Sequence, residues 1–146
     1  MSVLDASVLI AYLTDEVAAD EVEALITDPD DPPVVSAVNW AEVADQLVRV
    51  NDIDAGEVAQ TAQLLVNGGL TVQPVDQHDG WLMGSLRAAH YHRSRAPLSL
   101  ADCAALAAAV RLDARLVTSD RPLAAVGRQV GLEVVPVPDS TGRRPA

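Results

Sequence analysis

Four carboxylates in this chain stand where an α/β sheet could put them to chemical use: Asp5, Glu42, Asp102 and Asp120. The stretch SVL ends on Asp5, PVVS runs into AVNWAEV with Glu42, PLSLADCAALAAAV carries Asp102 in its first helical turn, and RLVTSD ends on Asp120. Each acid also has a local explanation. Asp5 and Asp120 suit helix N-caps, Ser99 and Asp102 have capping-box spacing, and Glu42 fits a solvated face beside Arg49. If all four gathered at one edge of a sheet, their repulsion would raise their pKa values unless a cation were present. An all-oxygen anionic set selects Mg²⁺ or Mn²⁺ over Zn²⁺. His78, His90 and His92 fall in one segment and lack zinc-site spacing. A divalent ion held by carboxylates activates water and neutralises a leaving oxygen at phosphorus, so the chemistry suggested is phosphodiester hydrolysis.

The elements needed to position these acids are legible. β-branched stretches at Ser2–Leu4, Pro33–Ser36, Leu70–Val75, Arg115–Thr118 and Leu132–Val135 predict four or five strands. Helical spacing connects them: a first helix with Val8, Leu9, Tyr12 and Leu13, then 17–26, 37–50, 55–66, 79–91 and 100–112. Strands alternating with such helices predict an α/β fold with a mostly parallel sheet covered on both faces. Ligands of these sheets sit beyond the carboxyl ends of the strands, where the four acids are expected. With 146 residues the chain is one domain, expected over residues 1–138, with the Pro- and Gly-bearing end leaving a flexible tail at 139–146.

Charge is uneven along the chain. The formal net charge is −11, yet residues 1–79 hold 16 acids against Arg49 alone, whereas residues 80–146 hold nine Arg against five acids. Lys is absent, and Arg is the side chain best shaped to grip phosphate. The stretch RAAHYHRSRAP offers Arg87, Arg93 and Arg95 with His90, Tyr91 and His92 for phosphates and unpaired bases. A polar helix end is the plainer reading of the same residues. The lone Cys103 excludes an internal disulfide framework and fits a core position in a reducing cytoplasm. Neither a signal peptide nor a membrane-length apolar run is expected.

Taken in order, Asp5 in SVLDASVLIAYL, Glu42 in SAVNWAEV, Asp102 in LSLADCAALAAAV and Asp120 in RLVTSDRPLAAV resemble the four acidic positions of PIN-domain ribonucleases, especially VapC-type toxins. The resemblance implies a Rossmann-like three-layer PIN fold, dependence on Mg²⁺ or Mn²⁺, endonucleolytic cleavage of RNA such as tRNA or rRNA, a cognate VapB-type antitoxin and a homodimer. It assigns Asp5, Asp102 and Asp120 to metal, Glu42 to a coordinated water or second ion, and Ser7 and Thr118, with Ser119 beside them, to hydroxyl support. Leu123 stands where an aromatic residue is common in the family. Trp40 and Trp81 are expected in the core or at an interface. The Asp15–Glu23 segment is expected as a solvated acidic face that could receive a basic antitoxin tail. A receiver domain would need a Lys that this chain lacks, and a haloacid-dehalogenase-like phosphatase would need Asp where Ser7 stands. A non-catalytic PIN-like module binding RNA or protein is the remaining alternative, with DNA a weaker choice of substrate.

Overall fold

A computed structural model describes residues Met1–Ala146. Five strands form one parallel sheet: β1 (Ser2–Leu4), β2 (Pro33–Ser36), β3 (Thr71–Gln73), β4 (Arg115–Thr118) and β5 (Val134–Pro136), in the order β3-β2-β1-β4-β5. The register sets Val3 between Val34 and Leu116, and Leu4 beside Val117. Side chains alternate across a strand, so Val3, Val34 and Leu116 enter one core while Leu4, Val35 and Val117 enter the other. Residues of both faces are buried, as a parallel sheet requires.

Seven α-helices cover the sheet: α1 (Ala6–Leu13), α2 (Ala19–Ile26), α3 (Ala37–Asp45), α4 (Ala55–Asn67), α5 (Gln77–His90), α6 (Leu100–Leu112) and α7 (Arg121–Gln129). Val8, Leu9, Val22, Val43 and Val58 pack α1 to α4 on one face. Met83, Leu106, Leu123 and Val126 pack α5 to α7 on the other. The three-layer expectation therefore holds. Ala104, Ala105, Ala107, Ala108 and Ala109 are all buried, and their small side chains let α6 lie close to both the sheet and α5. Gly127 serves the same end on α7, since a Cβ there would lie 3.0 Å from Leu116 and Val134 side chains.

Element ends depart from expectation for identifiable reasons. Pro74 lacks an amide donor and stops β3 at Gln73, short of Val75. The Leu132 amide bonds to Gly127 O and closes α7, which delays β5 to Val134. The helix expected over 37–50 stays α-helical only to Asp45 and continues as a π-helical turn over Gln46–Val50, with Leu47 buried. An Asp76–Asp79 capping box starts α5 at Gln77 rather than Asp79. Trp81 is 80% exposed and is not a core residue, because Asp79 and Met83 occupy the inward side of α5 and residue 81 falls on the other. Trp40 is half-buried against the α1–α4 core.

The segment after β5 lies against the body. Val137 is buried and its amide bonds to Thr118 O at 3.1 Å. Asp139 then closes a turn by accepting from Thr141 and from the Arg143 amide. Arg144 pairs with Glu21 through both terminal nitrogens, at 2.8 and 2.6 Å.

Candidate active site

The strand order reverses direction at β1: β2 and β3 lie on one side, β4 and β5 on the other. A crevice therefore opens beyond the carboxyl ends of β1 and β4. Asp5 directly follows β1, and Asp120 follows β4 by two residues.

Asp5 is 3% exposed. It is the N-cap of α1, and its Oδ1 accepts from the Ala6 amide at 2.8 Å. Its Oδ2 accepts from Ser7 Oγ at 2.7 Å and from Thr118 Oγ1 at 3.0 Å. Thr118 is itself fully buried and its hydroxyl accepts from the Asp120 amide at 2.9 Å, tying the ends of β1 and β4 together. Ser119 Oγ lies 3.0 Å from Ser7 Oγ and extends the hydroxyl network. Burial pushes the Asp5 carboxyl up to about 6, the Asp102 charge adds to the rise, and the Ser7, Thr118 and Ala6 hydrogen bonds oppose it.

Asp102 occupies the first turn of α6 in a reciprocal capping box: the Ser99 amide donates to Oδ2 at 2.7 Å, and the Asp102 amide donates to Ser99 Oγ at 3.0 Å. Burial raises its pKa, Ser99 lowers it, and the Asp120 charge raises it further. Glu42 is half-buried on α3 and also raised, first by burial and then by the charges of Asp5, Asp102 and Asp45. Arg49 does not relieve it. Arg49 bonds to Asp45 at 2.9 and 2.7 Å, one helical turn away, whereas Glu42 is nearly two turns distant. Asp120 caps α7 through Oδ1, which accepts from the Leu123 amide at 2.7 Å.

Capping and clustering thus coexist in the same side chains. Asp5, Glu42, Asp102 and Asp120 form a chain of repelling charges at the sheet edge, although no three acidic, His or Cys side chains close into a ready-made metal cage. After the protein hydrogen bonds are counted, Oδ1 of Asp102 and Oδ2 of Asp120 have no protein partner.

One residue of the site was missed in the sequence. Asn39 is fully buried on α3, and its Nδ2 donates to Ala101 O at 3.0 Å, tethering the helix of Glu42 to the start of the helix of Asp102. Its Oδ1 has no partner. The signal was its place three residues before Glu42, on the same side of a helix. The basic stretch is partly committed elsewhere: Arg87 donates to Leu98 O at 2.9 Å and lies 4.5 Å above the Tyr91 ring, while Arg93 and Arg95 are exposed. Cys103 is buried and its thiol is pushed up to about 11 by burial and the Asp102 charge, which fits a core residue.

Residues 2–129 match the PIN domain family. No curated protein matches by sequence. Solved structures of similar fold include VapC20 of Mycobacterium tuberculosis, described as a Sarcin-Ricin loop cleaving toxin, at TM-score 0.69 and 16% identity over 87% of this chain and 95% of that one. A toxin-antitoxin complex from Klebsiella pneumoniae matches at TM-score 0.60 and 19% identity, over 82% and 87%. VapBC2 from Rickettsia felis, bound to a DNA fragment from their promoter, matches at 0.62 and 15%, over 92% and 96%. At these identities the likeness is one of fold.

Proposed function

The chain belongs to the PIN-domain family, and from that premise we propose that it is a divalent-metal-dependent endoribonuclease acting as the toxin of a toxin–antitoxin pair. The observation that carries this reading is the gathering of Asp5, Glu42, Asp102 and Asp120 at the crevice where the strand order reverses: beyond the larger effect of burial, the Asp102 charge raises Asp5, the Asp5 and Asp102 charges raise Glu42, and the Asp120 charge raises Asp102. Acids placed only to cap helices have no reason to share one end of the sheet.

The donor set suits Mg²⁺ or Mn²⁺. Every candidate ligand is a carboxylate oxygen, and Mg²⁺ is usually bound through one or two carboxylates with waters completing its shell. Asp5, Asp102 and Asp120 would hold the ion directly or through water, and Glu42 would hold a coordinated water or a second ion. When bound, such an ion supplies an activated water at neutral pH and neutralises the leaving oxygen. The chain's own residues contribute preorganisation. Ser7 and Thr118 fix Oδ2 of Asp5, the Ser99 amide fixes Asp102, and the Leu123 amide fixes Asp120. The carboxylates are thereby aimed before substrate arrives, and the unpaired oxygens of Asp102 and Asp120 remain for the ion.

The toxin assignment is supported by the fold neighbours that are toxin–antitoxin complexes. An apolar cavity of about 230 Å³ between α1, α3 and α4, lined by residues including Leu13, Trp40, Val43, Leu47, Val58 and Ala62, offers a seat for apolar side chains of an antitoxin. Exposed Trp81 is available to a homodimer contact. The test is incubation of the purified chain with single-stranded RNA in Mg²⁺ or Mn²⁺. Cleavage that chelator abolishes supports the reading; RNA bound but left intact with either ion would instead make the chain a binding module.

A further inference from the structure

A second charged feature adjoins the acids. A cavity of about 610 Å³ is lined by Ser119, Arg121, Asp139, Arg143, Arg144 and Pro145, so that the Pro145 ring is the one apolar side chain in its wall. Its volume falls within the ordinary range of ligand sites. We propose that this cavity is a phosphate subsite for the RNA strand, built by the start of α7 and the folded-back C-terminal segment, next to the scissile phosphodiester. The proposal rests on the nuclease reading.

Three arginines face one carboxylate in the wall, and the charges are not equally available. Arg144 is neutralised by Glu21 and also donates to Pro136 O at 2.8 Å, so it anchors the segment. Asp139 spends Oδ1 on the Thr141 amide, the Thr141 hydroxyl and the Arg143 amide, which shapes the turn that carries Arg143. Arg121 and Arg143 are exposed and make no ion pair, unlike Arg49, Arg111, Arg115 and Arg144. The Arg143 charge helps hold Asp139, in the same wall, below the usual carboxylate range, after the Thr141 hydroxyl and the Arg143 amide, yet neither guanidinium is closed into an ion pair, and in a largely polar cavity of a chain whose net charge is −11 both are placed for an anion from outside.

The position identifies that anion. Ser119 lines the cavity, and its Oγ is one hydrogen bond from Ser7, which is one hydrogen bond from Asp5. Arg121 directly follows Asp120. A ligand spanning both features must present phosphate to arginine and a phosphodiester to the acids, which a nucleic-acid strand does at successive nucleotides. The acids repel a polyanion, so adjacent cations are needed to hold the strand across them.

The experiment measures binding of a fluorescein-labelled single-stranded RNA oligonucleotide to the full chain in chelator, across a salt series, with kcat and KM measured separately in Mg²⁺. Arg121→Gln combined with Arg143→Gln should weaken binding by about tenfold and flatten the salt slope by roughly 1.4, about 0.7 for each lost phosphate contact. KM should rise by a similar factor with kcat little changed, and the paired Arg→Lys variants should keep most of the affinity. Arg49→Gln controls for the loss of a cation elsewhere. The same oligonucleotide as DNA should lose affinity equally, because the subsite reads phosphate. A double variant with the affinity and salt slope of Arg49→Gln, or a loss confined to RNA, overturns the proposal. Failure of the parent chain to cleave, with the binding result intact, would remove the nuclease reading and leave the subsite standing.

Discussion

Replacing Asp5 with Asn is expected to stabilise the metal-free protein at neutral pH while abolishing cleavage. Burial and the Asp102 charge hold this carboxyl at about 6 instead of 3.8. Between those values the native chain keeps a proton that the unfolded chain has released, so stability falls as pH rises through the interval, and the full loss is present above it. At about 1.36 kcal/mol per pH unit, the ionised carboxylate costs about 3 kcal/mol near pH 7.5 and under about 1 kcal/mol near pH 4. The amide carries no charge and can still accept from the Ala6 amide. Its NH₂ must donate to Ser7 and Thr118, whose hydroxyls now donate to Oδ2, and that rearrangement returns part of the gain. A net gain of about 1–2 kcal/mol remains, equivalent to roughly 2–8 °C in Tm for a chain of this size. Urea and thermal unfolding in chelator at the two pH values measure it. A destabilised variant near pH 7.5, or the same gain at both pH values, would refute the reasoning. Added Mg²⁺ should raise the Tm of the parent chain more than that of the variant.

Thr118→Val removes a donor to Asp5 and an acceptor for the Asp120 amide; it should cost about 1–3 kcal/mol and move the acid limb of the pH–rate profile upward, and an unmoved limb would count against the hydroxyl's role. Asn39→Leu strands the Ala101 carbonyl; urea unfolding should register about 1–3 kcal/mol, with a fall in kcat as α6 loses its tether, and parent-like values of both would contradict the tether. Cys103 should resist iodoacetamide in the native chain, because its thiol is buried and pushed up to about 11, and react once urea unfolds it; rapid native labelling would oppose its core placement.

The fold was legible because the apolar pattern acts locally and twice over. Val3 and Leu4 are adjacent in sequence yet enter opposite cores, which only a strand covered on both faces permits. The acids were legible for a similar reason: Ser99–Asp102 shows its capping box in spacing alone, and the cap fixes where the carboxylate sits. What escaped depends on contacts between distant residues. Asn39 gains meaning only when Ala101 arrives from 62 residues away. Trp81 looks apolar in sequence, but the Asp76–Asp79 box sets the phase of α5 and turns residue 81 outward. The Arg144–Glu21 pair, spanning 123 residues, sets the end of the chain beside Ser119, a contact that no local pattern announces.

The most direct test of the central claim is the rate of RNA cleavage in Mg²⁺ by the parent chain and by Asp5→Asn, Glu42→Gln, Asp102→Asn and Asp120→Asn, with circular dichroism confirming that each is folded. The account predicts chelator-sensitive cleavage by the parent and a loss of at least about a hundredfold in every variant, the scale of removing one electrostatic contact in an active site. Folded variants that cleave at the parent rate, or cleavage that persists in chelator, would contradict it.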